Sequence, residues 1–484
     1  MSQFVPPYPP RHARPLSPAK LLQLGARNFL AIWEDKAFEQ QLMSMRLLSR
    51  RIFICNSPDT VRHAFVTHND AFERKSPQMR HALKPLLGDG LFISDGETWQ
   101  RRRRIVSPVI HASRIGEFAP IMVETAAEAA ARWSALPEGM EIDALKEMAK
   151  LTAEIICRTI FGRQLGSEHA DEIVEGFSDY QRQIGQIDIT SLIGLPDWMP
   201  RVHLPGIRRS VKRIVTVLDE IIASYRAQDP ANREIAVIRR LIEARDQVTG
   251  EPLDAEALRN EAAVIFMAGH ETTANTLAWA WYLLSQAPDV EQRLHAELDA
   301  TLGGRAPTLE DVPRLVYTRA VIEETLRLYP PVPLLAREAV KDETLRRREV
   351  KRGSLIIVVP WLLHRHRLLW DDPDCFDPDR FLPDAPRQPD KYAYVPFSTG
   401  PRVCAGLAFG LTEAILCLAA LAQRFSLRLR PGALVEPVCR LTLRPGGDGL
   451  PMTLHARAGA AHWPGAAPVE AAAPPPGGCP FATP

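Results

Sequence analysis

The sequence predicts a mostly α-helical fold with small β-sheets, organised as one large domain. Three observations carry this. Apolar residues recur at helical spacing along most of the chain, β-like runs are few and short, and no shift in composition divides the body in two. With 46% hydrophobic and 24% charged residues, the 484-residue chain has an ordinary globular composition.

The elements follow in order. Residues 1–20 hold six prolines and are expected to lie extended against the surface. Residues 21–457 form the domain. Ile121–Trp133 is Ala-rich with apolar positions at helical steps, and Val211–Ala227 repeats Val, Ile and Leu every three or four residues. Ala262–Leu284 is the longest apolar stretch; His270, Glu271 and Asn275 near its middle mark a buried core helix rather than a membrane span. Pro288–Leu302 starts after a turn and stops at Gly303-Gly304, and Thr318–Tyr329 is halted by Pro330-Pro331. Gly406–Phe425 is a long apolar helix. Arg51–Cys55, Leu355–Val359 and Met452–His455 read as short strands. Residues 458–484 are mostly Ala, Gly and Pro, cannot bury enough surface to fold, and are expected to be disordered.

A net charge of +1 gives no electrostatic case for nucleic acid. Seven dispersed cysteines, an odd number with no CxxC pair, argue against a disulfide framework and for a reduced, cytoplasmic protein. The first residues contain no apolar run, so neither a signal peptide nor a membrane anchor is expected.

The strongest chemical signal is Phe397-Ser-Thr-Gly400-Pro-Arg402-Val-Cys404-Ala-Gly406. A cysteine here follows a Gly-Pro turn and precedes a long helix. The N–H groups and partial positive charge of a helix N-terminus favour thiolate over thiol, and a thiolate is an electron-rich ligand for haem iron. Gly406 lets backbone and macrocycle approach closely, Phe397 can cover the sulfur, and Arg402 can pair with a propionate. The segment resembles the haem-binding loop of cytochromes P450 of the soluble bacterial type, FxxGxRxCxG, at all five fixed positions. At ~5% usage per residue type, a chance match has a probability on the order of 10⁻⁴.

A second motif lies about 130 residues earlier, at Ala268-Gly269-His270-Glu271-Thr272. A carboxylate and a hydroxyl deep in an apolar helix are costly unless paired or used. The Thr272 hydroxyl can bond back to the Ala268 carbonyl and bend the helix, with Gly269 leaving room at the bend. This is similar to the family's oxygen-activation motif, (A/G)Gx(D/E)T. The resemblance implies that Thr272 hydrogen-bonds the activated oxygen and that Glu271 relays protons. His270, at the motif's variable position, is read as structural rather than as an iron ligand.

Glu324 and Arg327 share a helix face. With Arg380 in Phe376-Asp-Pro-Asp379-Arg380-Phe381 they match the family's ExxR and PxRF segments, which implies a structural Glu–Arg–Arg cluster; Asp379 stands where the family often has Glu. The resemblance further assigns Trp99, Arg103 and Arg337 to the haem propionates, and His364 matches a recurrent histidine whose role the sequence leaves open. The run Arg101–Arg104 reads either as a solvated basic helix turn or, because the family resemblance implies electron donors docking near this helix, as a docking patch for an acidic ferredoxin- or flavodoxin-like donor, to be weakened by charge reversal at Arg102 and Arg104.

The resemblance thus implies a single mostly helical unit around a buried haem b with an axial cysteine thiolate. It implies a monooxygenase that uses O2, a lipophilic substrate (a fatty acid, terpenoid or similar), and electrons from a separate ferredoxin- or flavodoxin-type protein. Substrate contacts are expected from Leu91, Phe92, Ile187, Leu192, Val264, Leu334 and Leu450. A peroxygenase or isomerase, and a non-catalytic haem sensor, are the alternatives. The Glu271-Thr272 pair favours the monooxygenase, because peroxide users need no proton relay to reduced oxygen.

Overall fold

The structure, a computed structural model, describes residues 4–162, 174–180, 183, 205–227, 236–439, 441–447 and 449–457. Among the described residues the longer helices are α1 (Pro77–Leu87), α2 (Gly96–Val106), α3 (Ile115–Ser134), α4 (Ala144–Phe161), α5 (Pro205–Ala227), α6 (Ala255–Gln286), α7 (Pro288–Leu302), α8 (Val316–Leu328) and α9 (Leu407–Ala422). The strands of the two larger sheets are β1 (Leu42–Leu47), β2 (Arg50–Cys55), β3 (Arg74–Lys75), β4 (Glu141–Asp143), β5 (Leu335–Glu338), β6 (Leu355–Val358), β7 (Phe425–Leu429) and β8 (Pro451–Ala456).

Local chemistry sets the helix ends. Asp143 caps α4 by accepting from the N–H groups of Leu145 and Lys146, and Asp254 caps α6 by accepting from that of Ala257 at 2.7 Å. Pro288 opens α7 and Gly303 closes it in the left-handed conformation, at the boundaries the sequence predicts. The helices predicted at Ile121–Trp133, Val211–Ala227 and Ala262–Leu284 begin six or seven residues earlier than predicted, and those at Thr318–Tyr329 and Gly406–Phe425 differ by one to three residues at their ends.

The core is helical. α6 is buried over most of its length and runs against α4, while α9 packs between α3 and α8. The larger sheet has the order β1-β2-β6-β5-β3; β2 and β6 pair in parallel and the other neighbours antiparallel. The smaller sheet has the order β4-β8-β7. No described helix is long and apolar enough to cross a membrane.

The N-terminal segment is extended up to the helix Pro18–Arg27, capped by Ser17, and it is tied down. The Phe4 carbonyl accepts from the Phe376 N–H, and the Pro7 carbonyl from the Tyr329 hydroxyl, each at 2.9 Å. Residues 458–484 lie outside the described residues, as do Ile187 and Leu192.

Candidate active site

Gly400 turns the cysteine loop at φ +73°, and Ser398 also has a positive φ of 62°. A Cβ on Gly400 would stand 2.0 Å from the Phe65 carbonyl oxygen, so both the turn and its neighbour require glycine. The Cys404 N–H closes the loop onto the Phe397 carbonyl at 2.9 Å, and α9 begins three residues after Cys404.

Two facts about Cys404 look opposed. Its side chain is accessible, yet enough protein surrounds it that burial pushes its thiol above the usual range. Both hold if the thiol faces a space enclosed within the fold. The Gly406 N–H, Arg103 and Lys75 counter the burial and favour the thiolate. A Cβ on Gly406 would meet only the Cys404 sulfur, at 4.0 Å, so the space before the loop is open.

Cations converge here. The Arg402 guanidinium lies 4.4 Å from the centre of the Trp99 ring and donates to the Ser94 carbonyl at 2.6 Å. Arg337 is almost fully buried, 5.1 Å from the Phe65 ring centre. Burial, and the nearby Arg402 charge, bring Arg337 down to about 9; burial brings Arg402 down to about 10. Arg337 Nε and Nη1 and Arg402 Nε are buried without hydrogen-bond partners among the described residues. Lys75 pairs directly across the β3–β5 ladder from Arg337 and is held well below the ordinary lysine range by burial, Arg337 and Arg402. Like charges opposite each other in a sheet repel. Orphaned guanidinium nitrogens and facing cations beside an accessible thiol call for a bound anion, and the two carboxylates of a haem fit that demand.

The second motif lies on α6. Ala268 is exposed and Gly269, Glu271 and Thr272 are partly exposed, in the middle of an otherwise buried helix. The Thr272 hydroxyl donates to the Ala268 carbonyl at 2.6 Å, the predicted back-bond. Gly269 has a different role from the one expected. A Cβ there would stand 2.8 Å from Ile156 Cδ1, so this glycine lets α4 approach α6 closely. His270 is buried, packs on the Phe266 ring, and is lowered by burial to about 4, hence neutral. Its carbonyl accepts from Thr152 of α4, which places its backbone at the helix–helix contact. α9 reaches α6 one residue further on, where a Cβ on Gly410 would lie 3.8 Å from Thr273 Oγ1.

The charge cluster assembles. Arg327 Nε and Nη2 donate to the two Glu324 oxygens at 2.6 and 2.7 Å, with both side chains fully buried. Arg327 also donates to the carbonyls of His364, Pro373 and Cys375 at 2.6–2.9 Å. Arg380 Nε lies 3.7 Å from Glu324 Oε1, and the Asp377 N–H donates to the same oxygen. Asp379 points away from the cluster and pairs with Arg293 of α7 at 2.8 Å. His364 is lowered by burial and by Arg327 to about 3. Its Nε2 accepts from the Val395 N–H at 2.9 Å, so the proton sits on Nδ1, facing the Arg327 carbonyl at 3.3 Å. His364 therefore joins α8 to the chain entering the cysteine loop.

A family model for cytochrome P450 matches residues 10–447. The chain belongs to the cytochrome P450 family. Cyclooctatin synthase of Streptomyces melanosporofaciens is 35% identical over 433 residues, covering 87% of this chain and 91% of that protein. Cyclooctat-9-en-7-ol 5-monooxygenase of the same organism is 32% identical, covering 81% of this chain and 83% of that protein. The crystal structure of the cytochrome P450DA heme domain superposes with a TM-score of 0.77 at 25% identity, covering 93% of this chain and 97% of that one. This P450 is a monooxygenase with haem on a cysteine thiolate.

Within this P450 the four arginines of α2 do not form the open patch that the sequence suggests. Arg102 is buried, donates to both Asp89 oxygens at 2.8 and 2.9 Å, and lies 3.5 Å from Glu261. Arg104 grips Asp246 with two hydrogen bonds, Arg101 donates to the Pro252 carbonyl, and Arg103 is close enough to Cys404 to favour its thiolate. Reversing Arg102 or Arg104 would break internal ion pairs, so the proposed docking test cannot report on docking.

Sequence reasoning also missed three groups. Lys75 carries no motif, and only its strand partner reveals it. Glu261 accepts from the Leu91 N–H at 3.0 Å and so fastens the loop carrying Leu91 and Phe92 to α6. Glu413 on α9 is fully buried, and neither oxygen has a hydrogen-bond partner among the described residues. Burial raises its carboxyl to about 8; the Thr273 hydroxyl is near enough to temper the shift without closing a bond. Of the apolar residues expected to meet substrate, Leu91 and Val264 are buried and Phe92 and Leu334 half-buried. Leu450 is fully buried beside β4, its N–H bonded to Asp143, and belongs to the packed core.

Proposed function

We propose that this P450 inserts one oxygen atom of O2 into a lipophilic small molecule of the terpenoid kind. Its electrons would come from a separate ferredoxin- or flavodoxin-type donor in the cytoplasm. No disulfide joins any of the six described cysteines, which supports a reducing compartment. A similar protein named for oxygenating a cyclic alkenol supports a terpenoid over a fatty acid.

The observation that carries the reading is an accessible thiol, deep in the fold, amid buried guanidinium nitrogens that have no hydrogen-bond partner among the described residues. Cys404 would hold the iron of haem b, with Phe397 beside it and Gly406 leaving room for the ring. Arg337, Arg402, Arg103, Lys75 and the Trp99 indole would take the propionates. Haem held by a thiolate supplies the activation of dioxygen.

The chain's own residues handle protons. The Thr272 hydroxyl proton is engaged by the Ala268 carbonyl, so the lone pairs of its oxygen face the accessible side and can accept a hydrogen bond there. Glu271, partly exposed beside it, is a carboxylate that can pick up a proton from solvent and pass it toward that hydroxyl. Neutral His270 faces α4 and takes no part. Peroxide-driven and rearranging haem enzymes, and a sensor, have no need of this pair.

Purified protein, reduced under carbon monoxide, is expected to give the far-red-shifted Soret band of a thiolate ligand. Cys404→Ala abolishes it; persistence of the band would refute the ligand assignment. Thr272→Ala is expected to keep the band but to consume electrons without matching product. Full coupling in that variant would refute the role of the acid–alcohol pair.

A further inference from the structure

We propose that His63, His68 and Glu343, away from the cysteine loop's own chemistry, form a binding site for one divalent transition-metal ion of the Zn2+ type. The two histidines are five residues apart, a spacing that an α-helix would spread around its surface. Here the segment His63–Thr67 is a π-helical turn, closed by the His68 N–H on the His63 carbonyl at 2.9 Å. One extra residue in the turn brings the two imidazoles face to face, with ring centres 4.1 Å apart and planes 10° from parallel. Such turns are uncommon and gather at functional sites.

The third group comes from a distant part of the chain. Glu343 opens the hairpin Glu343–Leu345/Arg348–Val350 and places Oε2 3.2 Å from His68 Nδ1. One ligand atom from each of the three residues lies within 4.8 Å of the others. Nε2 of His63 is buried without a hydrogen-bond partner among the described residues, which leaves that nitrogen available as a ligand atom. Donor atoms around a tetrahedral Zn2+ stand about 3.3–3.5 Å apart and the ion lies in the plane of each imidazole, so the site closes when one of the stacked rings turns about its side-chain torsions and the donors draw together. Two imidazoles and one carboxylate select Zn2+, Co2+, Ni2+ or Cu2+ over the hard cations Mg2+ and Ca2+. Water would take the fourth position, and the half-exposed His68 gives an entry path.

The ion would clamp a turn that backs the cysteine loop. Phe65, inside the π turn, presents its carbonyl to Gly400 and its ring to the Arg337 guanidinium. Binding would therefore join the hairpin to the wall behind Cys404.

The test uses the full-length, haem-loaded protein, stripped of metal with chelator and titrated with ZnCl2 by calorimetry. Bound zinc is counted by elemental analysis. The wild type is expected to take up one Zn2+ at a saturable site that ignores Mg2+, and its thermal midpoint rises on binding. His63→Gln, His68→Ala and Glu343→Gln each weaken that site by roughly tenfold or more and cancel the rise. The reduced carbon monoxide spectrum of each variant reports whether its fold is intact. If His63→Gln loses that spectrum, His68→Ala and Glu343→Gln, at partly exposed side chains, decide the question. No saturable uptake, or uptake undiminished in His68→Ala and Glu343→Gln, overturns the proposal.

Discussion

Arg327→Ala should abolish stable haem retention, and its cost can be worked from contacts. The guanidinium makes five hydrogen bonds, two to the Glu324 carboxylate and three to the carbonyls of His364, Pro373 and Cys375, with both side chains fully buried. Removing one partner of a buried ion pair leaves an uncompensated charge and typically costs about 3–5 kcal/mol. Arg380, 3.7 Å from Glu324, supplies part of the missing charge but lacks the two-pronged geometry. Each orphaned carbonyl adds about 1–3 kcal/mol where water cannot reach it. A loss of at least ~4 kcal/mol follows, comparable to the whole stability of a marginal protein. The double variant Glu324→Leu/Arg327→Met separates the terms. It removes the charge imbalance, which alone would make it nearly neutral, but leaves three carbonyls without donors. It should therefore remain destabilised by several kcal/mol. The assay is urea unfolding followed by haem absorbance and far-ultraviolet circular dichroism. A double variant as stable as wild type would refute the claim that the carbonyl contacts, rather than the ion pair, hold the approach to the cysteine loop.

Gly400→Ala should lose haem, because its Cβ would meet the Phe65 carbonyl at 2.0 Å and its φ of +73° disfavours alanine; normal haem content and thermal midpoint would contradict this. Glu413 titrates near 8 in the folded state and near 4.5 when unfolded, so between these values the folded state holds the extra proton. Its contribution to stability is present below pH 4.5, declines as pH rises, and is lost above about 8, a span on the order of 5 kcal/mol. Glu413→Gln should flatten stability across that window when unfolding is followed at stepped pH, and an unchanged pH profile would show that Glu413 is ionised in the fold.

Much of the site was legible because its signals are local. The cysteine loop is ten contiguous residues whose turn and helix start follow from Gly400, Pro401 and Gly406. The Thr272 back-bond spans four residues and the Glu324–Arg327 pair three, so helical geometry alone predicts both contacts. Arg101–Arg104 shows where that reasoning stops. Four adjacent arginines read as a charged patch, but Asp89, Glu261 and Asp246 bind two of them from elsewhere in the chain and one turns toward Cys404.

The sequence by itself therefore determined the helical class, the turn of the cysteine loop, the Thr272 back-bond and the helix carrying the charge cluster. Each depends on periodicity or on residues within a few positions of one another. Only the tertiary structure decided that Lys75 faces Arg337, that Gly269 admits α4, that His364 bridges to Val395, and that Glu413 is buried with no hydrogen-bond partner among the described residues. Desolvation and cross-chain pairing depend on which distant segments pack together, and that neighbourhood exists only once the chain has folded.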